Sequence, residues 1–305
     1  MIDYFIKRLG VAVLVIFVVS VVGFFMLRLS GDPAVAMAGE MSSQADVENI
    51  RKQYGFDRPL VVQYFAWLGQ AARGDFGNSN YFRMPVSDLI LSRLPTTATL
   101  AALSISLALI LAIPMGVLAA VRQNSWVDRL VLLFAVSAQA VPNFWLALML
   151  IVLLSITFPI LPPSGSESWV NFIMPTLVLG TYAMPALVRL TRNGMLDVLS
   201  SDYIRTARAK GLRWTTVLFK HGLRNAIIPL VAVTAVQFGY LLGGSLITET
   251  IFALPGVGYL AWESITRRDI PTVQAVVILL AFFYTTLTLL GDLLNGWLDP
   301  RIRVS

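Results

Sequence analysis

The sequence has no cysteine and a single histidine, His221. The first absence excludes a disulfide framework, a thiol nucleophile and a Cys-ligated metal, and the second excludes a multi-His metal site. Charge is also scarce. Asp, Glu, Lys and Arg make up 13% of the 305 residues, about half the roughly 25% of a soluble domain. With 57% hydrophobic residues, too little polar surface remains to cover a water-soluble globule, and the lipid bilayer is the natural solvent. There is no G-x-x-x-x-G-K-[ST] segment, so this chain has no such loop to cradle a nucleotide phosphate. The formal net charge of +6 does not point to nucleic acid, because the basic residues flank long apolar runs instead of forming a basic face on a soluble fold.

Six charge-free apolar runs stand out, at about 9–27, 98–121, 130–158, 170–188, 226–248 and 270–291. Each has at least the roughly 18 residues that spanning requires. All should be helices, since an isolated strand would leave backbone groups unpaired in lipid. Pro114, Pro142, Pro175 and Pro185 fall inside these runs and are expected kinks. The first run follows Lys7-Arg8 but is longer than a signal-peptide core and ends at Met26-Leu27-Arg28 without a small-x-small site, so it reads as a retained anchor. Lys and Arg cluster at the amino terminus, at Arg122 and Arg129, between the fourth and fifth runs, and at Arg301 and Arg303. Both termini and the long basic loop are therefore expected in the cytoplasm. The fold class expected is an all-α integral membrane protein of about six transmembrane helices. Residues 1–29 form the anchor, 30–97 an extracytoplasmic helical insertion, 98–298 a core of five helices with a cytoplasmic loop at 193–225, and 299–305 a cytoplasmic tail.

In the insertion, Ser43-x-x-Asp46 is a capping signal for a short helix that Gly55 stops. A second helix is expected from Pro59 to about Ala72, with Leu60, Tyr64 and Leu68 on one face. A small helical cap over the external mouth and a loop packed on its own spans are both open readings. The cytoplasmic loop holds a second helical pair. Asp202 is a candidate N-cap and Gly211 a C-terminal stop, with Ile204, Ala207 and the Arg208 stem on one side. Another helix follows from about Trp214 to Arg224. On composition alone this could be an interfacial helix on anionic lipid.

Several polar residues interrupt the runs. Gln139 and Asn143 flank Pro142, and Gln237, Tyr240 and Ser245 lie on the fifth run. Such groups face a bundle interior, where they line a wet passage or bond a neighbouring helix. Glu249 is expected at the outer end of the fifth span, either as an interfacial charge or in contact with a solute or an external protein. No ionisable group falls in a run centre, whereas ion-coupled transporters place such groups there. An intramembrane enzyme would need paired catalytic groups within the spans, and none are present. An ion-coupled secondary transporter and an interaction-only scaffold remain as alternatives.

The strings Asp202-Tyr203-Ile204-Arg205-Thr206-Ala207-Arg208-Ala209-Lys210-Gly211 and His221-Gly222-Leu223-Arg224-Asn225-Ala226-Ile227-Ile228-Pro229 resemble the cytoplasmic signature of ABC-importer permeases. They resemble specifically the B-type inner-membrane permeases of the dipeptide, oligopeptide and nickel group, which includes glutathione importers. Ala207, Gly211 and Leu223 fit the general signature, and Arg205, Thr206, His221 and Arg224 depart from it as this branch does. Gly31-Asp32-Pro33, Tyr54-Gly55-Phe56-Asp57-Arg58-Pro59-Leu60, Gly74-Asp75-Phe76-Gly77-Asn78-Ser79 and Glu249-x-x-Phe252-x-x-Pro255-Gly256-Val257-Gly258 extend the resemblance over nearly the whole chain.

The resemblance implies a type I importer permease fold in a bacterial inner (plasma) membrane. It also implies a sister permease completing a heterodimer, two cytoplasmic ATPase subunits and an extracytoplasmic solute-binding protein. ATP and Mg would then bind in the partners, with no cofactor in this chain. Asp202, Tyr203, Arg205, Ala207, Arg208, Lys210, Gly211, His221 and Arg224 would couple to the ATPase. Gln139, Asn143, Gln237, Tyr240, Ser245 and Glu249 are the candidates for the pathway. Peptides, glutathione, nickel complexes, opines and oligosaccharides all remain open as solutes.

Overall fold

The computed structural model describes residues 2–29, 31–38 and 42–298. The tail expected at 299–305, with Arg301 and Arg303, lies outside them. The first apolar run forms α1 (Ile2–Leu29). Three short helices follow, α2 (Pro33–Ala38), α3 (Gln44–Gln53) and α4 (Leu60–Ala71). α5 (Val86–Val121) then leads through α6 (Trp126–Ala140) and α7 (Asn143–Ile151) to α8 (Ile173–Leu199). The long loop holds α9 (Asp202–Ala209), α10 (Trp214–Thr216), a π-helical segment Val217–Leu223 and α11 (Arg224–Ala226). The chain closes with α12 (Ile228–Gly244), α13 (Leu246–Ile251), α14 (Val257–Thr266) and α15 (Ile270–Leu298).

Among the described residues four helices are long and apolar enough to cross a membrane, and up to six spans result if each of two bent pairs is counted as one. The expected architecture stands, but two of the six runs are not single helices. Run 130–158 is broken between α6 and α7 with a bend of 91°. Pro142 holds Val141 in an extended conformation (φ −79°, ψ 122°), as the residue before proline prefers. At the start of run 226–248 the helical stretch Trp214–Ala226 turns by 51° into α12, beside Pro229 in the first turn of α12, and the run passes from α12 to α13 at Ser245. α5 begins at Val86, so the last part of the segment read as insertion is the first part of the second long helix.

α5 and α8 form the most extensive helix pair, α12 packs on α15, and α15 packs on α1. Leu100, Ala108, Val178, Met184 and Leu187 are fully buried in the main core. The insertion is tied to these spans at two points. The capping box at Ser43 and Asp46 starts α3 as expected, and Pro59 is the N-cap of α4 instead of a first-turn residue. Tyr64 on α4 is buried against α1, with its hydroxyl 2.8 Å from Ser20 Oγ and its ring edge-on to Phe24. At the other end, Ser79 Oγ and the Asn80 N–H donate to the buried Asp269, at 2.5 and 3.0 Å. The insertion therefore packs on its own chain at α1 and at the start of α15.

Candidate coupling loop and translocation face

α9 is strongly amphipathic. Ile204 and Ala207, three residues apart on one face, pack against Val217. Ala207, expected among the residues that meet a partner, therefore points into the chain, because it shares the apolar face of Ile204. Asp202, Tyr203, Arg205, Arg208 and Lys210 are exposed. Ser201, not Asp202, holds the N-cap position, and Asp202 lies in the first turn. The Arg205 guanidinium is 3.1 Å from Asp202, an exposed pair that adds little stability. Arg208 lies over the Trp214 ring, 4.5 Å from its centre, and so links α9 to α10. Asn225 Nδ2 donates to the Tyr203 hydroxyl at 3.0 Å and to the His221 carbonyl at 3.2 Å. Arg224 is exposed and His221 half-buried.

The exit from α9 depends on Gly211. Its N–H donates to the Arg208 carbonyl, and the Leu212 N–H donates to Ala207. This pair of bonds is a Schellman stop. Gly211 takes φ +73°, a left-handed conformation that costs a residue with a β-carbon about 1–2 kcal/mol. Below the loop, Leu218 and Ala226 pack with Met195 of α8 and Val117 of α5, so the loop rests on the main helix pair. The same end carries a buried ion pair. Arg192 makes two 2.7 Å bonds to Asp128, whose side chain is also reached by the Asn124 N–H.

Polar groups also gather on one exposed face of the spans. Tyr182 and Arg189 lie seven residues apart on α8, hence on one side of it. The Tyr182 and Tyr240 rings stack at 5.5 Å, and their hydroxyls are 3.1 Å apart. Arg189 donates to Gln139 Oε1 at 3.1 Å. Gln139, Tyr240 and Arg189 are exposed, and Gln237, Asn143 and Tyr182 half-buried. α6, α8 and α12 thus share a polar face that nothing among the described residues covers.

Ser245 and Glu249 do not belong to that face. Both are fully buried, which corrects the expectation of an exposed charge at a span end. Glu249 Oε1 accepts from Thr97 Oγ1 at 2.8 Å and Ser245 Oγ at 2.7 Å, and Oε2 accepts from the Tyr259 N–H at 2.9 Å. The carboxylate sits at the amino-terminal end of α14, where backbone N–H groups favour negative charge. A β-carbon on Gly256 would lie 2.3 Å from Glu249 Oε2. The Glu249-to-Gly258 string is therefore a structural unit in which a carboxylate is wrapped by its own motif.

Sequence reading missed Tyr182 and Asp128, named Trp214 only as a helix start and Asn225 only within a signature string, and counted Arg189 and Arg192 only among the basic residues between the fourth and fifth runs. α8 continues past the charge-free run to Leu199. Helical spacing carried forward from Tyr182 would have put Arg189 on the same side.

Known proteins resemble this geometry and this sequence. Residues 112–304 match the family model described as binding-protein-dependent transport system inner membrane component, and residues 1–101 match the model of its N-terminal part. The glutathione transport system permease protein GsiC of Escherichia coli (strain K12) is 42% identical over 304 residues, which are 99% of each chain. The protein of the same name from Shigella flexneri serotype 5b (strain 8401) is also 42% identical over 304 residues. Among solved structures, an inward-facing conformation of the MetNI methionine ABC transporter (native crystal form) is similar, with a TM-score of 0.56 at 19% identity. The match covers 69% of this chain and 96% of that one.

Proposed function

The chain belongs to the family of binding-protein-dependent transport system inner membrane components, and from that premise we propose how it works and what it carries. It is the multi-pass inner-membrane permease subunit of an ABC importer, a class of transporter built with ATPase subunits and a solute-binding protein. The proposed solute is glutathione or a short peptide of similar size and charge, by likeness to relatives of that name at 42% identity across both full lengths. The chain is proposed to be non-catalytic, with ATP and Mg held by the ATPase partners. It is proposed to pair with a sister permease, with both termini in the cytoplasm. The uncovered polar face of α6, α8 and α12 is its half of the passage. Arg189 would offer a cation to a carboxylate of the solute, and Tyr182, Tyr240, Gln139 and Gln237 would offer hydrogen bonds.

One observation carries the coupling role. α9 satisfies its apolar side within the chain through Ile204, Ala207 and Val217, and leaves Tyr203, Arg205, Arg208 and Lys210 exposed. Such a helix is rigid on one side and available on the other, which suits seating in a groove of an ATPase subunit. The test is Gly211→Val in the reconstituted transporter. A β-branched residue at φ +73° should displace the end of α9. ATP hydrolysis should persist while uptake of labelled glutathione falls about tenfold or more. Unchanged uptake would sink the coupling role. Competition by glutathione and dipeptides, but not by nickel complexes, opines or oligosaccharides, is expected, and the reverse pattern would reassign the solute.

A further inference from the structure

A second cavity lies away from the polar face, at the external end. Its volume of about 610 Å³ is in the range of small-molecule sites. It is enclosed by the outer ends of α1 and α15 and by the insertion, with Arg28, Trp67, Asn80, Arg83 and Gln274 in its wall. Three buried donors in that wall, Arg28 Nη1, Asn80 Nδ2 and Gln274 Nε2, have no hydrogen-bond partner. Gln274 is 5% exposed, so an unpaired amide there costs on the order of 1–3 kcal/mol. Buried polar groups are normally satisfied, and three unpaired donors around one cavity ask for a ligand rich in acceptors. The two arginines outweigh the one carboxylate in the wall, Asp75, whose Oδ1 already accepts from the Gly77 N–H at 2.9 Å, and Asp32, which acts on Arg28 from nearby, is itself paired with Arg51.

The place of the cavity selects among such ligands. Arg28 stands at the outer end of α1, the least buried of the four long apolar helices. Tyr64 of α4 bonds to Ser20, roughly two turns below Arg28, so α4 lies beside α1 at membrane depth. Val22 and Met26 of α1 and Val61 and Phe65 of α4 are exposed and continue the apolar surface up to the cavity. A cation at this level with apolar walls beneath matches the boundary between headgroups and acyl chains. The polar face proposed for the solute is on other helices. We infer that this cavity binds the phosphodiester headgroup of an outer-leaflet phospholipid, whose oxygens accept from Arg28, Asn80 and Gln274 and whose chains run along α1 and α4. The bound lipid would fasten the insertion to the first span.

The test is native mass spectrometry of the assembled transporter released from phosphatidylcholine nanodiscs that contain a minor fraction of phosphatidylglycerol. Retention of phosphatidylglycerol is expected, and it should fall about tenfold or more in Arg28→Gln, the loss of one charge-assisted bond. Gln274→Leu and Asn80→Ala keep the helices and should each lower retention several-fold. Arg129→Gln, at the opposite end, should leave retention unchanged. Equal retention in the parent, Arg28→Gln, Gln274→Leu and Asn80→Ala would overturn the site. Displacement of the lipid by equimolar glycerol 1-phosphate or glycylglycine would overturn the lipid assignment in favour of a free anion or a solute.

Discussion

At the end of the molecule that carries the insertion two acids point inward, and in the α9 loop the charges point outward. Glu249 and Asp269 are both fully buried, and each accepts three hydrogen bonds, at least one of them from a group more than 150 positions away. In the loop, Arg205, Arg208, Lys210 and Arg224 are exposed, and their contacts are local. A buried carboxylate with three donors fixes its surroundings, because losing it leaves each donor unpaired. An exposed cation fixes little and remains free to meet another protein. The end with the insertion is therefore built to hold its shape, and the loop keeps charges free on its surface.

The sharpest way to break this contrast is Glu249→Ala. It strands the Thr97 and Ser245 hydroxyls and the Tyr259 N–H, and the expected cost is about 3–5 kcal/mol. The detergent-solubilised protein should lose its monodisperse peak and its thermal transition should drop sharply. Arg205→Ala in the loop should leave that transition unchanged. A Glu249→Ala protein that melts normally yet fails in uptake would return Glu249 to the passage. Asp128→Ala is expected to cost slightly less, about 2–4 kcal/mol, since it abandons a half-buried Arg192 with solvent close by. Double replacement of Asp128 and Arg192 by apolar residues of similar size should recover much of that loss in the same melt.

What was legible follows the same division. The spans could be read because apolar length in lipid leaves only the helix, and the capping box at Ser43 could be read because it is local. Pro142 announced a disturbance, but a 91° break and a modest kink begin from the same residue. Their difference lies in how α7 packs on α8 and α13. Glu249 was misjudged for a related reason. In sequence it follows an apolar run and looks interfacial, whereas its burial depends on Thr97, 152 positions away. Arg189 and Arg192 are both basic and three residues apart, yet one faces Gln139 and the other is locked on Asp128. Both lie on one side of α8, and they meet α6 at different heights, at Gln139 and at Asp128; position along the helix separates them, and net charge does not.

Within the loop, Trp214→Ala removes the ring under Arg208. The expected loss is about 0.5–1 kcal/mol, too small to unfold the protein but enough to loosen α9 from α10. Faster amide exchange over 202–211 with an unchanged global melt would confirm that the loop is held by weak local contacts. Protection there equal to that of α8 would contradict it.

The smallest effect belongs to the insertion. Asp46 accepts from the Ser43 side chain and the Ser43 N–H at the start of α3, and these bonds hold its carboxyl below the usual carboxylate range. The group is more acidic in the folded state than in the unfolded one, so folding is favoured while it is ionised. That contribution is fully present above the ordinary aspartate value of about 4 and fades as the pH falls through the lowered folded value. Amides of α3 should therefore exchange faster, relative to those of α4, only at pH below about 4. Asp46→Asn should lose this dependence while keeping the helix. The change should remain confined to the insertion, because the Glu249 and Asp269 sites anchor their helices through contacts that do not involve Asp46.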